Sequence, residues 1–150
     1  MQRPVPDQDV RQAFDFLDSD DLAVLQPELA EVRLAAGEAL FRIGEVSTLV
    51  YVLVAGRLAV RKQTGFADKM QVVALLDPGA PVGEGAIFAG QVHEATVAAV
   101  EDSRLVSFPG KKLDAFRDRY PALAWKIINR LLFISHLRLR KGSERLARVL

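Results

Sequence analysis

A glycine-rich segment at residues 82–87 (VGEGAI) is the part of the chain best suited to bind an anion. A glycine turn that opens a short helix leaves backbone N–H groups without partners, at an end of the helix that carries partial positive charge. Glycine also lets a ligand approach the backbone closely. We therefore predict a phosphate-like ligand here, with Gly83, Glu84, Gly85 and Ala86 as candidate residues. Glu84 has a second interpretation, as a carboxylate that only complements the helix dipole.

A second polar pair, His93 and Glu94, begins nine residues after Glu84. No metal centre is expected there, because His93 and His136 are the only histidines and adjacent strand residues face opposite sides. Ser135 and His136 are neighbours on a predicted helix and face apart, so they form no catalytic pair. The chain also lacks a G-x-S-x-G turn and a Walker lysine. The sequence therefore predicts a protein that is not an enzyme.

The composition fits one domain of ordinary size around a single core. The chain has 150 residues, of which half are apolar and 26% are charged, and it has no cysteine. The missing cysteine excludes disulfides and thiolate chemistry. The first ten residues lack the apolar core of a signal peptide, and no stretch nears the roughly 18 apolar residues of a membrane span. We expect one domain over residues 1–150, located in the cytoplasm.

The pattern of apolar residues divides the chain into three parts. Residues 7–32 predict two short helices separated near Asp18, with Ser19 as the N-cap of the second. Residues 31–109 contain short apolar runs between glycines, which predicts an antiparallel β-roll or jelly roll. Within it we expect a hairpin with its turn at Ala55 and Gly56, and further strands over 70–76, 95–100 and 104–108. Residues 111–150 predict a short helix over 112–118 and a long one that opens at Pro121.

The long C-terminal helix carries two apolar stripes. One contains Leu123, Ile127, Leu131 and Ile134, and it can cover the β-roll. The other alternates steps of four and three residues, as a coiled-coil seam does. It contains Ile128, Leu132, Ser135, Leu139, Gly142, Leu146 and Val149. We expect this seam to pair with the same helix of a second copy, which makes the protein a homodimer. The alternative is that both stripes fold back on one monomer.

Three phrases together resemble the cyclic nucleotide-binding domain of the catabolite activator protein and protein kinase A regulatory subunit families. They are LAAGEALFRIGEVSTLVYVLVAGRLAV at 34–60, LLDPGAPVGEGAIF at 75–88 and HEATVAAVEDSRLVSF at 93–108. The resemblance covers residues 10–150 and implies a β-roll with leading helices and a long terminal helix. It implies that Gly83 and Glu84 begin the phosphate-binding cassette and that Ala95, Thr96 and Val97 end it. It also implies that Glu84 accepts a hydrogen bond from a ribose hydroxyl.

The chain departs from this family at the residues that hold the ligand. Members that bind cyclic nucleotides present an arginine and a small residue where this chain has His93 and Glu94. A histidine supplies fewer donors and is largely neutral near pH 7, and a carboxylate repels a bound phosphate. Arg138 stands where the family's long helix meets the purine. One alternative is that Arg138 or Arg140 enters the pocket and pairs with Glu84 or Glu94. We therefore predict at most weak binding of cAMP, cGMP or another anionic nucleotide.

The predicted function is that of a regulatory ligand-binding domain with a degenerate site. The alternative is a protein-interaction module of the same fold, which binds a regulatory protein partner and no small ligand. Sequence-specific DNA binding is not expected, because no helix-turn-helix follows the long helix. The seven Lys and Arg residues after residue 120 stand against one Glu, but they lie on several faces of the helix. They fit a solvated helix surface better than a nucleic-acid interface.

Overall fold

A computed structural model describes residues 3–65 and 69–150 of the chain. The helices are α1 (Asp7–Ala13), α2 (Ser19–Leu25), α3 (Lys112–Arg119) and α4 (Pro121–Val149), with short 3-10 helices at Gln26–Glu28 and Glu84–Ile87. The strands are β1 (Ala30–Leu34), β2 (Ala39–Phe41), β3 (Leu49–Ala55), β4 (Leu58–Gln63), β5 (Met70–Leu76), β6 (Pro81–Val82), β7 (Thr96–Ala99) and β8 (Ser103–Pro109). This order confirms the predicted β-roll with short leading helices and one long terminal helix.

Two four-stranded antiparallel sheets form the roll, with strand orders β1-β8-β3-β6 and β2-β7-β4-β5. Strand β3 is buried on both faces, which explains its unbroken apolar run LVYVLVA. Val50, Val52 and Val54 pack against the helices, while Leu53 packs between the two sheets. The buried apolar residues on the helix side of this sheet join α1, α2, α3 and the first half of α4 to the roll. Helix α4 is therefore held to the same sheet that carries β6 and the cassette after it.

The predicted hairpin at Ala55 and Gly56 is wrong. Strand β3 pairs with β6 and β8, whereas β4 pairs with β5 and β7, so the two strands belong to different sheets. Gly56 is where the chain crosses from one sheet to the other. Its φ is 100°, and a side chain there would place Cβ 2.6 Å from the carbonyl oxygen of Asp102. Only glycine fits this crossing without strain.

The predicted helical region over residues 7–32 is also too long. Helix α2 ends at Leu25, and Ala30–Leu34 forms β1, which pairs with β8. Pro27 lacks the N–H that would continue the helix, so the chain makes only a 3-10 turn before it extends. The N-cap of α2 is Asp18 and not Ser19. Its carboxylate accepts from the Asp21 N–H at 2.8 Å, and the Asp21 carboxylate accepts from the Asp18 N–H at 3.2 Å.

Gly110 lies between β8 and α3, against the backbone of the cassette, and tolerates no side chain. A Cβ there would overlap the carbonyl group of Ala86 and lie 2.8 Å from the Ile87 nitrogen. Gly110→Ala is expected to lower the free energy of unfolding by about 1–3 kcal/mol, as overpacking does. Chemical denaturation measures this change. Gly85→Ala is the matched control, since nothing lies within 4 Å of its Cβ. Equal denaturation midpoints for the two variants would contradict the close contact.

Candidate ligand site

The cassette turn packs closely against the first sheet at Gly83. Gly83 has φ 77° and precedes the 3-10 helix Glu84–Ile87, whose Ala86 N–H donates to the Gly83 carbonyl at 3.1 Å. A Cβ at Gly83 would lie 2.9 Å from the carbonyl oxygen of Leu49 on β3. The opposite holds at Gly85, where a Cβ would meet open space. The turn therefore has one side fixed to the sheet and one side that is free.

Glu84 is paired with a cation from the long helix. The Arg138 Nη1 lies 3.7 Å from the Glu84 Oε1, and the Arg138 Nη2 donates to the carbonyl oxygen of Pro81 at 2.5 Å. Partial burial lowers the pKa of Arg138, and the Glu84 carboxylate opposes that effect. Of the two arginines considered from the sequence, Arg138 makes the contact with Glu84, while Arg140 pairs with Glu144 one helical turn away. Arg138 thus bridges the carboxylate and the strand that leads into the cassette.

His93 is buried and stacks on an aromatic ring. It is 9% exposed, and its ring lies 3.5 Å from that of Phe41 at an interplanar angle of 7°. Its backbone N–H donates to the carbonyl of Glu45 at 2.8 Å. His93 therefore does not lie at the surface. Desolvation lowers the pKa of His93, and the carboxylates of Glu45 and Glu84 oppose that effect.

The end of the cassette, at residues 94–96, makes no contact with Arg138 among the hydrogen bonds and ion pairs of the described residues. The Thr96 hydroxyl accepts a hydrogen bond from the Ile43 N–H at 3.0 Å, so it already has a partner in the protein. Ala95 is half-buried, and Glu94 is exposed. The carboxylates whose charge acts on His93 are Glu45 and Glu84, and Glu94 is not among them. The structure therefore brings together Gly83, Glu84, His93 and Arg138, and it leaves Glu94 toward solvent.

Three neighbours of the site were not expected from the sequence: Phe41, Glu45 and Pro81. Phe41 lies 52 residues before His93, and it reaches His93 because β2 pairs with β7, with Phe41 opposite Val97. Pro81 contributes its carbonyl, which has no signature in sequence. Residue types and their spacing do not predict such contacts, because the contacts depend on which strands pair.

Residues 31–120 match the family model for the cyclic nucleotide-binding domain. The chain belongs to the cyclic nucleotide-binding domain family. The resemblance seen in its sequence is thereby confirmed. The fold agrees as well: a crystal structure of a cyclic nucleotide-binding domain from Methylobacillus flagellatus KT superposes with a TM-score of 0.85. The superposition covers 95% of this chain and 83% of that one, at 17% identity.

Two further proteins are similar to this cyclic nucleotide-binding domain. One is rat patatin-like phospholipase domain-containing protein 7, which is 31% identical over 81% of this chain. The chain spans only 9% of the length of that protein. The other is the regulatory subunit of a cAMP-independent protein kinase A from Trypanosoma brucei, solved as a triple mutant bound to cAMP in its A site. It is 16% identical with a TM-score of 0.69, and the match covers 89% of this chain and 49% of that one.

The two stripes of α4 in this cyclic nucleotide-binding domain differ sharply in exposure. Leu123, Ile127 and Leu131 are buried against the roll, and Ile134 is half-buried. In the seam, Ile128 and Ser135 are half-buried and Leu132, Leu139, Gly142, Leu146 and Val149 are exposed, Leu139 by 70%. Trp125 is exposed too and lies seven residues before Leu132 and three before Ile128, so it extends the same seam by one further position. The sequence analysis missed it, although its spacing was visible.

Neither a metal centre nor a membrane span stands out in the described part of the domain. Over residues 3–65 and 69–150, no three His, Asp or Glu side chains gather where they could hold a metal ion. Across the same ranges, no helix combines the length and apolar character needed to cross a membrane.

Burial of His93 predicts that the folded domain loses stability in mild acid. The unfolded chain takes up a proton near pH 6.5, whereas burial holds the pKa of folded His93 below that value. The unfolded state then binds more protons, so the free energy of unfolding falls as pH drops from about 6.5 through the folded pKa. One proton limits the slope to ~1.4 kcal/mol per pH unit.

Denaturation curves between pH 7.5 and 5.5 measure this slope. His93→Gln is expected to flatten it over that range, because the substitute does not titrate. His136→Gln, at an exposed position on α4, is the matched control and is expected to keep the parent slope. If the two variants have the same pH dependence, His93 is not the group responsible.

Proposed function

We propose that this domain is a regulatory module, not a catalytic one, whose cyclic nucleotide site has been closed by its own residues. One observation carries the proposal: Arg138 reaches Glu84 at 3.7 Å and donates to Pro81. Glu84 is the group that would accept the ribose hydroxyl in the family. A ligand would therefore have to displace a guanidinium before it could use that carboxylate.

The charge distribution at the other end of the cassette also disfavours the binding of a cyclic nucleotide. His93 is buried where the family carries a phosphate-binding arginine, and burial favours its neutral form. The carboxylates of Glu45 and Glu84 oppose this effect, but desolvation is the larger cause and keeps the pKa of His93 below its ordinary value. A neutral imidazole cannot offer a phosphate the charged, two-pronged donor that a guanidinium does. We infer that cAMP and cGMP bind this domain weakly or not at all.

The neighbour from Trypanosoma brucei supports this interpretation by analogy. That regulatory subunit is described as cAMP-independent, and it was solved with cAMP as a mutant. One of its three substitutions replaces a threonine by arginine. A family member can thus keep the fold without responding to cAMP.

We propose further that the module works as a homodimer. The seam of α4 leaves Trp125, Leu132, Leu139 and Leu146 exposed at intervals of seven residues. An apolar strip of this length is a liability unless a partner covers it. Its spacing matches the seam of two paired helices, and the small residues Ser135 and Gly142 between the large ones would permit close approach.

The second candidate function is an interaction module that needs no small ligand and binds a regulatory protein partner. The internal Arg138–Glu84 pair favours it, because a site filled by the protein itself needs no ligand to be stable. The two candidates differ in whether any nucleotide can displace Arg138.

Calorimetric titration of the unmodified domain with cAMP, cGMP and cyclic dinucleotides tests the proposal. We expect no dissociation constant below about 1 mM, since losing a charged partner costs several kcal/mol and each 1.4 kcal/mol is about tenfold in affinity. Binding of cAMP in the low-micromolar range would refute the proposed closed site. Millimolar binding that Arg138→Ala tightens would favour a degenerate ligand site over the pure interaction module.

A further inference from the structure

A cavity of about 90 Å³ lies on the other side of the first sheet from the space between the two sheets. Its apolar walls come from the turn after α1, from β3 and β8, and from the first half of α4. The side chains that form its floor are buried and uncharged: Phe14, Val50, Val52, Phe108, Ile127 and Leu131. Glu84, His93 and Arg138 do not line it, so it is distinct from the site that they form, although Pro81 lies at its wall.

One cation lines this cavity. The Arg130 side chain is 40% exposed, and its guanidinium lies 4.5 Å from the centre of the Phe16 ring. Its Nη2 contacts the Asp15 carboxylate at 3.5 Å, but Asp15 is 73% exposed. Such an exposed ion pair is weak, and a guanidinium has five N–H donors, of which this contact uses those of one nitrogen. Arg130 can therefore take a second anion from the cavity side.

Two other polar side chains line the wall, Gln12 and Asp15, and both are engaged within the protein. Gln12 donates through its Nε2 to the carbonyl of Val54 at 2.9 Å. A ligand would thus find an apolar floor and a guanidinium whose present partner, the Asp15 carboxylate, is largely exposed to water and can yield its place. This arrangement resembles the ordinary ligand pocket, in which apolar walls hold the body and one charged group sets the orientation.

The size of the cavity limits the ligand. An engineered apolar cavity of about 150 Å³ takes benzene, and drug-sized ligands need about 300 Å³ or more. At about 90 Å³ the cavity has room for an apolar body smaller than a benzene ring. A nucleotide does not fit.

We propose that this cavity is a binding site for a short branched-chain monocarboxylate, with its alkyl body on the apolar floor and its carboxylate on Arg130. The site is separate from the cassette and does not depend on the proposed function. It lies where α1, α4 and the first sheet meet, so its occupant contacts all three.

Isovalerate is the probe, and the amide chemical shifts of the full 150-residue chain are the measurement. We expect a saturable shift with millimolar affinity, in keeping with a ligand of about seven non-hydrogen atoms. The affected amides are expected in the turn after α1, in β3 and in the first half of α4. Two control ligands separate the contributions of charge and alkyl group: isovaleramide lacks the charge, and acetate lacks the alkyl body. Both are expected to bind at least about tenfold more weakly than isovalerate, because each lacks one of the two contacts.

Two variants locate the site. Arg130→Gln is expected to weaken the binding of isovalerate at least about tenfold, because it removes the charged donor. Ala13→Met fills the cavity from α1 and is expected to abolish binding. Arg140→Gln, which removes the same charge from an exposed position farther along α4, is expected to bind like the parent. No shift at 20 mM isovalerate would overturn the proposal. So would equal binding of isovaleramide, or equal losses in Arg130→Gln and Arg140→Gln.

Discussion

Combining His93→Arg, Glu94→Ser and Arg138→Ala in one chain is expected to create cAMP binding at least about 100-fold tighter than in the parent. The new arginine supplies a permanent charge and a two-pronged donor for the cyclic phosphate. Removal of Arg138 frees the Glu84 carboxylate, which it now contacts at 3.7 Å, for the ribose hydroxyl. A desolvated charged contact contributes about 2–5 kcal/mol, and ~2.7 kcal/mol is a hundredfold in affinity.

Calorimetry on three related variants separates these contributions. The double variant His93→Arg, Glu94→Ser keeps the Arg138–Glu84 pair, so it is expected to bind more weakly than the triple variant. Replacing Arg140 in place of Arg138 provides the matched control, since Arg140 pairs with Glu144 and not with the cassette. That control is expected to behave like the double variant. A triple variant that folds normally and shows no heat with millimolar cAMP would mean that something other than Arg138 closes the pocket.

The second large effect concerns assembly. Leu132→Glu together with Leu139→Glu is expected to convert a dimer into a folded monomer of 16.5 kDa. Both side chains lie in the exposed seam, and two copies of the variant would bring four carboxylates together along it. Each buried leucine contributes about 1.5–3 kcal/mol before association entropy is subtracted, so losing four of them removes the stability of the dimer.

Sedimentation velocity reports the mass of the parent and of the variant. Phe133→Glu with Ala147→Glu is the matched control, because it adds two carboxylates at exposed positions on another face of α4. This control is expected to sediment like the parent, at about twice 16.5 kDa. An unmodified chain that is already monomeric at high micromolar concentration would show that the seam does not pair two copies.

Local patterns in the sequence predicted the kind of element in each of the three parts of the chain, but not that β1 begins at Ala30 inside the predicted helical region. Gly-rich turns between apolar runs indicated the β-roll, and the spacing of apolar residues after Pro121 indicated one long helix. Both are confirmed, because periodicity and turn residues reflect the geometry of a single element and its two faces. The candidate ligand turn at Gly83 and Glu84 could be singled out for the same reason, since its glycines and carboxylate are neighbours in the chain, and its role in binding stays a prediction.

Pairing between distant segments was decided only by the tertiary structure. A glycine turn has the same sequence whether the next strand joins the same sheet or the opposite one, so the crossing at Gly56 appeared to be a hairpin. The contact of Arg138 with Glu84 joins residues 54 positions apart, and it requires α4 to pack on the first sheet. Burial of His93 against Phe41 likewise requires β2 to pair with β7. Residue types were enough to locate a candidate ligand site, but packing determined which charge fills it.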